Sequence, residues 1–109
     1  MAGNPLGEFE QEVLVAVLRM QPEAFALEVR REIEDETGRS ISRGAFYTTL
    51  ERLERKGLLA WEEARPANAR RSGLQRRFTV TPAGMKTLRE AYRALEATRV
   101  RLAQVLEEG

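Results

Sequence analysis

The chain of 109 residues contains no cysteine and no histidine, and only one of its seventeen acidic residues, Asp35, is an aspartate. Without Cys or His there is no disulfide framework, no thiolate nucleophile, no imidazole base and no ordinary ligand set for zinc, haem or an iron–sulfur cluster. A single Asp excludes a paired-aspartate site. Glu, Lys, Tyr and Ser remain for acid–base or nucleophilic chemistry, and none is patterned with a partner, so neither an enzyme nor a cofactor is expected. Long apolar runs are also missing. The longest, Val13 to Leu18, falls far short of the roughly 20 residues that span a bilayer. Met1 to Leu6 has neither a basic start nor the apolar stretch of a secretory signal, and the expectation is a cytoplasmic protein with no membrane partner. With 42% hydrophobic residues, 32% charged residues and only four Pro, the composition is that of one folded globular unit.

The net charge of +1 conceals strong segregation along the chain. Met1 to Gly38 carries nine acids against Arg19, Arg30 and Arg31. Arg39 to Gly57 is net basic, with Arg39, Arg43, Arg52, Arg55 and Lys56 against Glu51 and Glu54. Ala64 to Arg89 holds Arg65, Arg70, Arg71, Arg76, Arg77, Lys86 and Arg89 and no acid at all. Solubility alone is usually served by mixed signs, so an uncompensated cationic window points to a phosphate-binding face, where Arg offers bidentate hydrogen bonds. The acids Glu32, Glu34, Asp35 and Glu36 are not read as a metal cluster, because consecutive helical residues point in different directions.

Periodicity supplies the context. Glu8 to Met20 places Glu8, Glu10 and Glu12 at the positive end of a helix dipole, ahead of a stretch that is apolar almost all round. After Pro22, Glu23 to Thr37 reads as a second helix with Phe25 or Ala26, Val29 and Ile33 inward, Arg30 and Arg31 outward, and Gly38 as its C-terminal cap. Ser42 is a good N-cap for a third helix, Arg43 to Lys56, ended by Gly57. Its stripe Phe46, Leu50, Leu53 faces the core, and its opposite face carries Arg43, Tyr47, Thr48, Glu51, Arg52 and Arg55. Leu58 to Glu63 and Gln75 to Thr81 read as strands of a hairpin, with Phe78 and Val80 inward and Arg77 and Thr79 outward. Ala64 to Leu74 forms the cationic tip of that hairpin. Thr81 and Pro82 open a last helix that runs to about Glu107.

Three helices, a basic hairpin and a long helix describe a mainly α fold with a small β-hairpin. It is a winged helix-turn-helix over residues 1–81 followed by a C-terminal dimerisation helix over 82–109, the two forming one compact unit. In such a module the third helix enters the major groove of duplex DNA and the wing meets the adjacent backbone or minor groove. The expected DNA-binding residues are Ser42, Arg43, Tyr47, Thr48 and Arg52 on the third helix, and Arg70, Arg71, Arg76 and Arg77 on the wing. Tyr47 reads either as a phosphate contact or as a ring half-buried on the core. Arg52 reads either as a phosphate contact or as an ion pair with Glu51 or Glu54. Trp61 reads as core.

On the last helix, Met85, Leu88, Tyr92, Leu95, Leu102 and Leu106 follow alternating three- and four-residue steps, with Arg99 at the one polar step. The expected homodimer interface is Val13, Val17, Leu88, Tyr92, Leu95, Arg99, Leu102 and Leu106. A protein-interaction module on the same scaffold, without direct DNA binding, is the alternative reading.

The sequence resembles the PadR family of bacterial transcriptional regulators in its short form with a single C-terminal helix. Leu6 to Leu18, Ala26 to Gly38, Ile41 to Leu59 and Arg76 to Gly84 carry the resemblance, most specifically Ser42-x-Gly44-x-Phe46-Tyr47 followed by Leu50, Leu53 and Lys56-Gly57-Leu58. It implies a homodimeric repressor whose recognition helix and wing grip a palindromic operator, with a small-molecule effector often relieving repression. The family commonly has Pro where this chain has Arg43 and Thr48, an aromatic at Leu27, and paired aromatics at Arg77-Phe78. Members that bind planar cationic drugs use a Trp on the final helix, whereas the only Trp here is Trp61, in the first wing strand.

Overall fold

A computed structural model describes residues 6–67 and 73–109. The expected wing contacts Arg70 and Arg71 lie outside the described residues. The elements follow in the order α1 (Glu8–Met20), α2 (Ala26–Thr37), α3 (Arg43–Arg55), β1 (Leu59–Ala64), β2 (Gln75–Val80) and α4 (Pro82–Glu108).

Most of the helix ends have a local chemical cause. In α1 the Glu10 carboxylate accepts from the Gly7 N–H at 2.8 Å, satisfying one of the donors that a helix start leaves free. Gly38 closes α2 at φ 69°, and Gly57 follows α3 at φ 76°, a left-handed conformation in which a side chain is strained. Beyond Gly57 the Leu58 N–H donates back to the Leu53 carbonyl at 3.0 Å, which turns the chain into β1. The Ser42 and Thr81 hydroxyls accept from Ala45 N–H (3.1 Å) and Gly84 N–H (3.0 Å) to start α3 and α4.

The second helix starts at Ala26 rather than Glu23, because the residues before it are taken by the sheet. Phe25 bridges antiparallel to Arg77, and the Phe78 N–H donates to the Ala24 carbonyl at 2.9 Å. The Val80 N–H donates to Oε1 of Gln21 at 2.8 Å. The connection between α1 and α2 therefore lies along the outer side of β2. On its other side β2 pairs with β1 from Leu59↔Val80 to Ala64↔Gln75.

The core lies between α1, α2, α3 and the inner face of the hairpin. Val13, Leu14, Val17, Val29, Phe46, Leu53 and Leu59 are its fully buried side chains. Gly84 marks the closest approach of α4 to the hairpin, since a Cβ there would lie 2.3 Å from the Leu58 carbonyl oxygen and 2.7 Å from Val80. Only the first turns of α4 touch this core, through Met85 and Leu88. A 27-residue helix is about 40 Å long, so most of it projects, and the described molecule measures 59 × 32 × 23 Å.

Val13 and Val17, expected at a dimer interface, are fully enclosed within their own chain, and a partner cannot reach them. The residue of α1 that faces outward is Val15, which is 45% exposed. A nearly all-apolar helix in a small domain has two of its sides covered by α2, α3 and the sheet, leaving one strip open toward α4.

Candidate nucleic-acid interface

The orientation of α3 is set from both faces. Inward, Phe46, Thr49, Leu50 and Leu53 are buried. At its C-terminal end Lys56 donates to both carboxylate oxygens of Glu10, at 3.1 and 2.9 Å, tying α3 to the start of α1. Burial of Glu10 raises its pKa, but the hydrogen bonds from Lys56 and the Gly7 N–H, with the fields of Lys56 and Arg52, outweigh it and hold the carboxyl below its ordinary value.

Outward, Arg43, Tyr47, Thr48, Glu51, Arg52 and Arg55 are exposed. Among the described residues Arg43, Arg52 and Arg55 form no ion pair, so the intrahelical pairing open to Arg52 is not made. Tyr47 is 36% exposed and rests edge-on against Phe46, with ring centroids 5.6 Å apart, while the Arg43 guanidinium lies 5.6 Å from the Tyr47 ring centroid. Ser42 serves first as the cap of the helix.

The two expected wing contacts that are described, Arg76 and Arg77, differ. Arg77 is held by Glu62, directly across the hairpin at 2.9 Å, and by Glu23 at 3.6 Å. Arg76 makes no ion pair among the described residues. Its guanidinium stacks 4.2 Å from the Trp61 ring centroid and keeps its donors free. That stacking follows from register, since Trp61 opposes Phe78 and Arg76 is its diagonal neighbour on the same face.

Sequence reasoning missed Arg30, which it placed on the solvent side of α2. Arg30 instead lines a recess of about 220 Å³ with Ala26, Leu27, Arg43, Phe46 and Tyr47. Helical periodicity places Arg30 one turn after Ala26, but only the approach of α3 reveals what lies against it.

A larger apolar groove of about 580 Å³ runs between α1 and α4, lined by Val15, Leu18, Met85, Leu88, Tyr92 and Leu95 among others. Beyond it Val100, Leu102, Val105 and Leu106 are all more than half exposed. Among the described residues no group of three His, Cys, Asp or Glu could hold a metal ion, and no helix is long and apolar enough to cross a membrane.

The sequence profile of the Transcriptional regulator PadR-like family matches residues 14–90, which takes in the second half of α1, α2, α3, the hairpin and the start of α4. The chain belongs to the PadR-like family. Solved structures agree at the level of the fold. A PadR-like transcriptional regulator from Bacillus cereus superposes with a TM-score of 0.73 at 16% identity, covering 90% of both chains. A PadR family regulator from Eggerthella lenta gives 0.69 at 22% identity, covering 94% of this chain and 88% of the other. One from Clostridium difficile R20291 gives 0.65 at 18% identity, covering 88% and 97%. No curated protein sequence matches this chain. The PadR-like fold, mainly helical with a two-stranded wing and a long C-terminal helix, is the one expected from the residues.

Proposed function

We infer that this PadR-like protein binds duplex DNA sequence-specifically as a homodimer and represses transcription from a palindromic operator. The observation that carries the reading is the outer face of α3, where three arginines without ion pairs among the described residues, a tyrosine and Thr48 lie exposed on a helix tied at its C-terminal end by Lys56 to Glu10. A rigid helix with unoccupied donors suits major-groove readout, and Arg76 on the wing adds a cation for the neighbouring backbone. Dimerisation supplies the second half-site, and the exposed apolar strip of α4 supports it. A regulator of this kind works in the cytoplasm, beside the chromosome.

Fluorescence anisotropy with a duplex from the region upstream of the protein's own gene, against a scrambled duplex of equal length, tests the reading. Tighter binding to the upstream duplex, by about a thousandfold or more at physiological salt, is expected of an operator. Equal affinity for both duplexes would remove sequence-specific regulation. Absence of binding to either would favour a protein-interaction module.

A further inference from the structure

The recess between α2 and α3 is cationic, and no acid among the described residues lines it. Nε of Arg30 is shielded from water and has no hydrogen-bond partner among the described residues. A guanidinium N–H withdrawn from solvent without an acceptor is unfavourable unless a ligand supplies one. The carboxylate one turn further along α2 does not do so: Glu34 accepts from the Ile41 N–H at 2.8 Å, fixing the turn into α3, and forms no ion pair with Arg30 among the described residues. Arg43 brings a second guanidinium to the recess and Tyr47 a phenol, while no acid lines it.

The sign of this recess is not a general property of the surface. The recess on the other side of α2, against α1, is lined by Glu8, Glu12, Glu32 and Glu36, with Arg19, which pairs with Glu32 and Glu36, as its one cation. The cationic recess also opens on the first turn of α2, whose N-cap residue, Phe25, offers no side-chain acceptor to the free backbone N–H groups of that turn. Two guanidinium groups, a phenol and a bare helix start suit an anion with several oxygens and one compact charge centre, and Arg forks match phosphate in particular.

We propose that this recess is a phosphate site in which Arg30, Arg43 and Tyr47 hold a phosphodiester of the DNA backbone, with Arg30 as the anchor. The proposal rests on the DNA-binding reading for the source of the phosphate, whereas the chemistry of the recess is independent of it. The phosphate lies on the strand bordering the groove that α3 enters, so Arg30 fixes the depth and register of α3 without reading sequence.

Two measurements on the full chain test it. In the first, log K for duplex binding is followed against log salt. Arg30→Gln should flatten the slope by about 0.9 per protomer and weaken unrelated duplexes equally, while Arg31→Gln, the same charge change on an exposed neighbour, leaves the slope unchanged. Thermal melting confirms that both variants are folded. In the second, the arginine Nε–H resonances are followed by NMR, with Arg30 assigned by its absence in Arg30→Gln. That resonance should move on addition of duplex, and also on addition of inorganic phosphate at higher concentration. Equal slopes for the two variants, or an Arg30 resonance that moves in neither titration, would overturn the site. A wild type that binds no duplex while Arg30 still answers inorganic phosphate would overturn the DNA source and leave a site for a free phosphate ligand.

Discussion

The part-buried ion pair of Lys56 with Glu10 adds to the buried stripe that holds α3, and its protonation makes that contribution depend on pH. Because the folded-state pKa of Glu10 is depressed, the pair contributes stability above the ordinary Glu value of about 4.5, and that contribution is lost as pH falls through the folded value. Lys56→Met leaves the Glu10 charge, on a side chain only 7% exposed, without its main partner. The expected cost is about 2 kcal/mol at pH 7, below the full penalty for a wholly buried pair because the Lys56 side chain is 27% exposed. At a pH below the folded-state value Glu10 is protonated in wild type and variant alike, and the difference should shrink. Urea denaturation of both proteins at the two pH values checks this, and an equal difference at both would show that packing of the Lys56 stem dominates. Trp61 and Arg76 make the complementary case on the wing. There an aromatic face orients a cation without neutralising it, whereas Glu62 and Glu23 hold Arg77 in place. Arg76→Gln should therefore flatten the salt slope for duplex binding by about 0.9 per protomer, and Arg77→Gln should change it far less. Equal changes would mean that Arg77 leaves its carboxylates when DNA binds.

At the scale of the elements, what was legible in the sequence was whatever is decided within one or two turns of chain. Ser42, Thr81, Gly38 and Gly57 mark the helix ends because capping is a contact between near neighbours, and the stripe Phe46, Leu50, Leu53 shows the inner face of α3 because helical spacing is local. Long-range contacts were not legible. The start of α2 shifts because Phe25 pairs with a strand some fifty residues later, Arg30 faces a recess formed only when α3 arrives, and Val13 and Val17 are enclosed by three separate elements. The difference between Arg76 and Arg77 is likewise invisible in a run of cations, since it depends on what lies across the hairpin. The outer face of α3 gives an element-scale prediction. Arg43 and Thr48 stand on that face, and both side chains are exposed. Arg43→Ala or Thr48→Ala should change affinity among operator variants by about 1–3 kcal/mol at one or two base pairs, and much less on scrambled duplex. Binding measured across a panel of single-base operator variants checks this, and uniform weakening across the panel would make these residues backbone anchors.

At the scale of the whole molecule, the long helix is the feature that one copy cannot account for. The winged core occupies only the first turns of α4, and beyond them Tyr92, Leu95, Leu102 and Leu106 lie more than half exposed at alternating three- and four-residue steps. Arg99 takes the polar step and is paired within the helix to Glu96 at 3.3 Å, an exposed contact of small worth that leaves it available at a seam. The groove between α1 and α4 continues the same apolar strip down to Val15, so a second α4 laid along the first would cover both at once. Two copies joined in this way place two α3 helices on one assembly, as paired half-sites require. Changing Leu95 and Leu102 together to Glu puts four like charges into the seam of a symmetric pair. The fold of each copy should survive, because neither residue belongs to the core. Light scattering at micromolar concentration should show a dimeric wild type and a monomeric double variant, with DNA affinity falling steeply in the monomer. Arg99→Leu should act in the opposite direction, strengthening the dimer by removing the polar step. A wild type already monomeric at that concentration, or a double variant that stays dimeric, would place the interface elsewhere on the molecule.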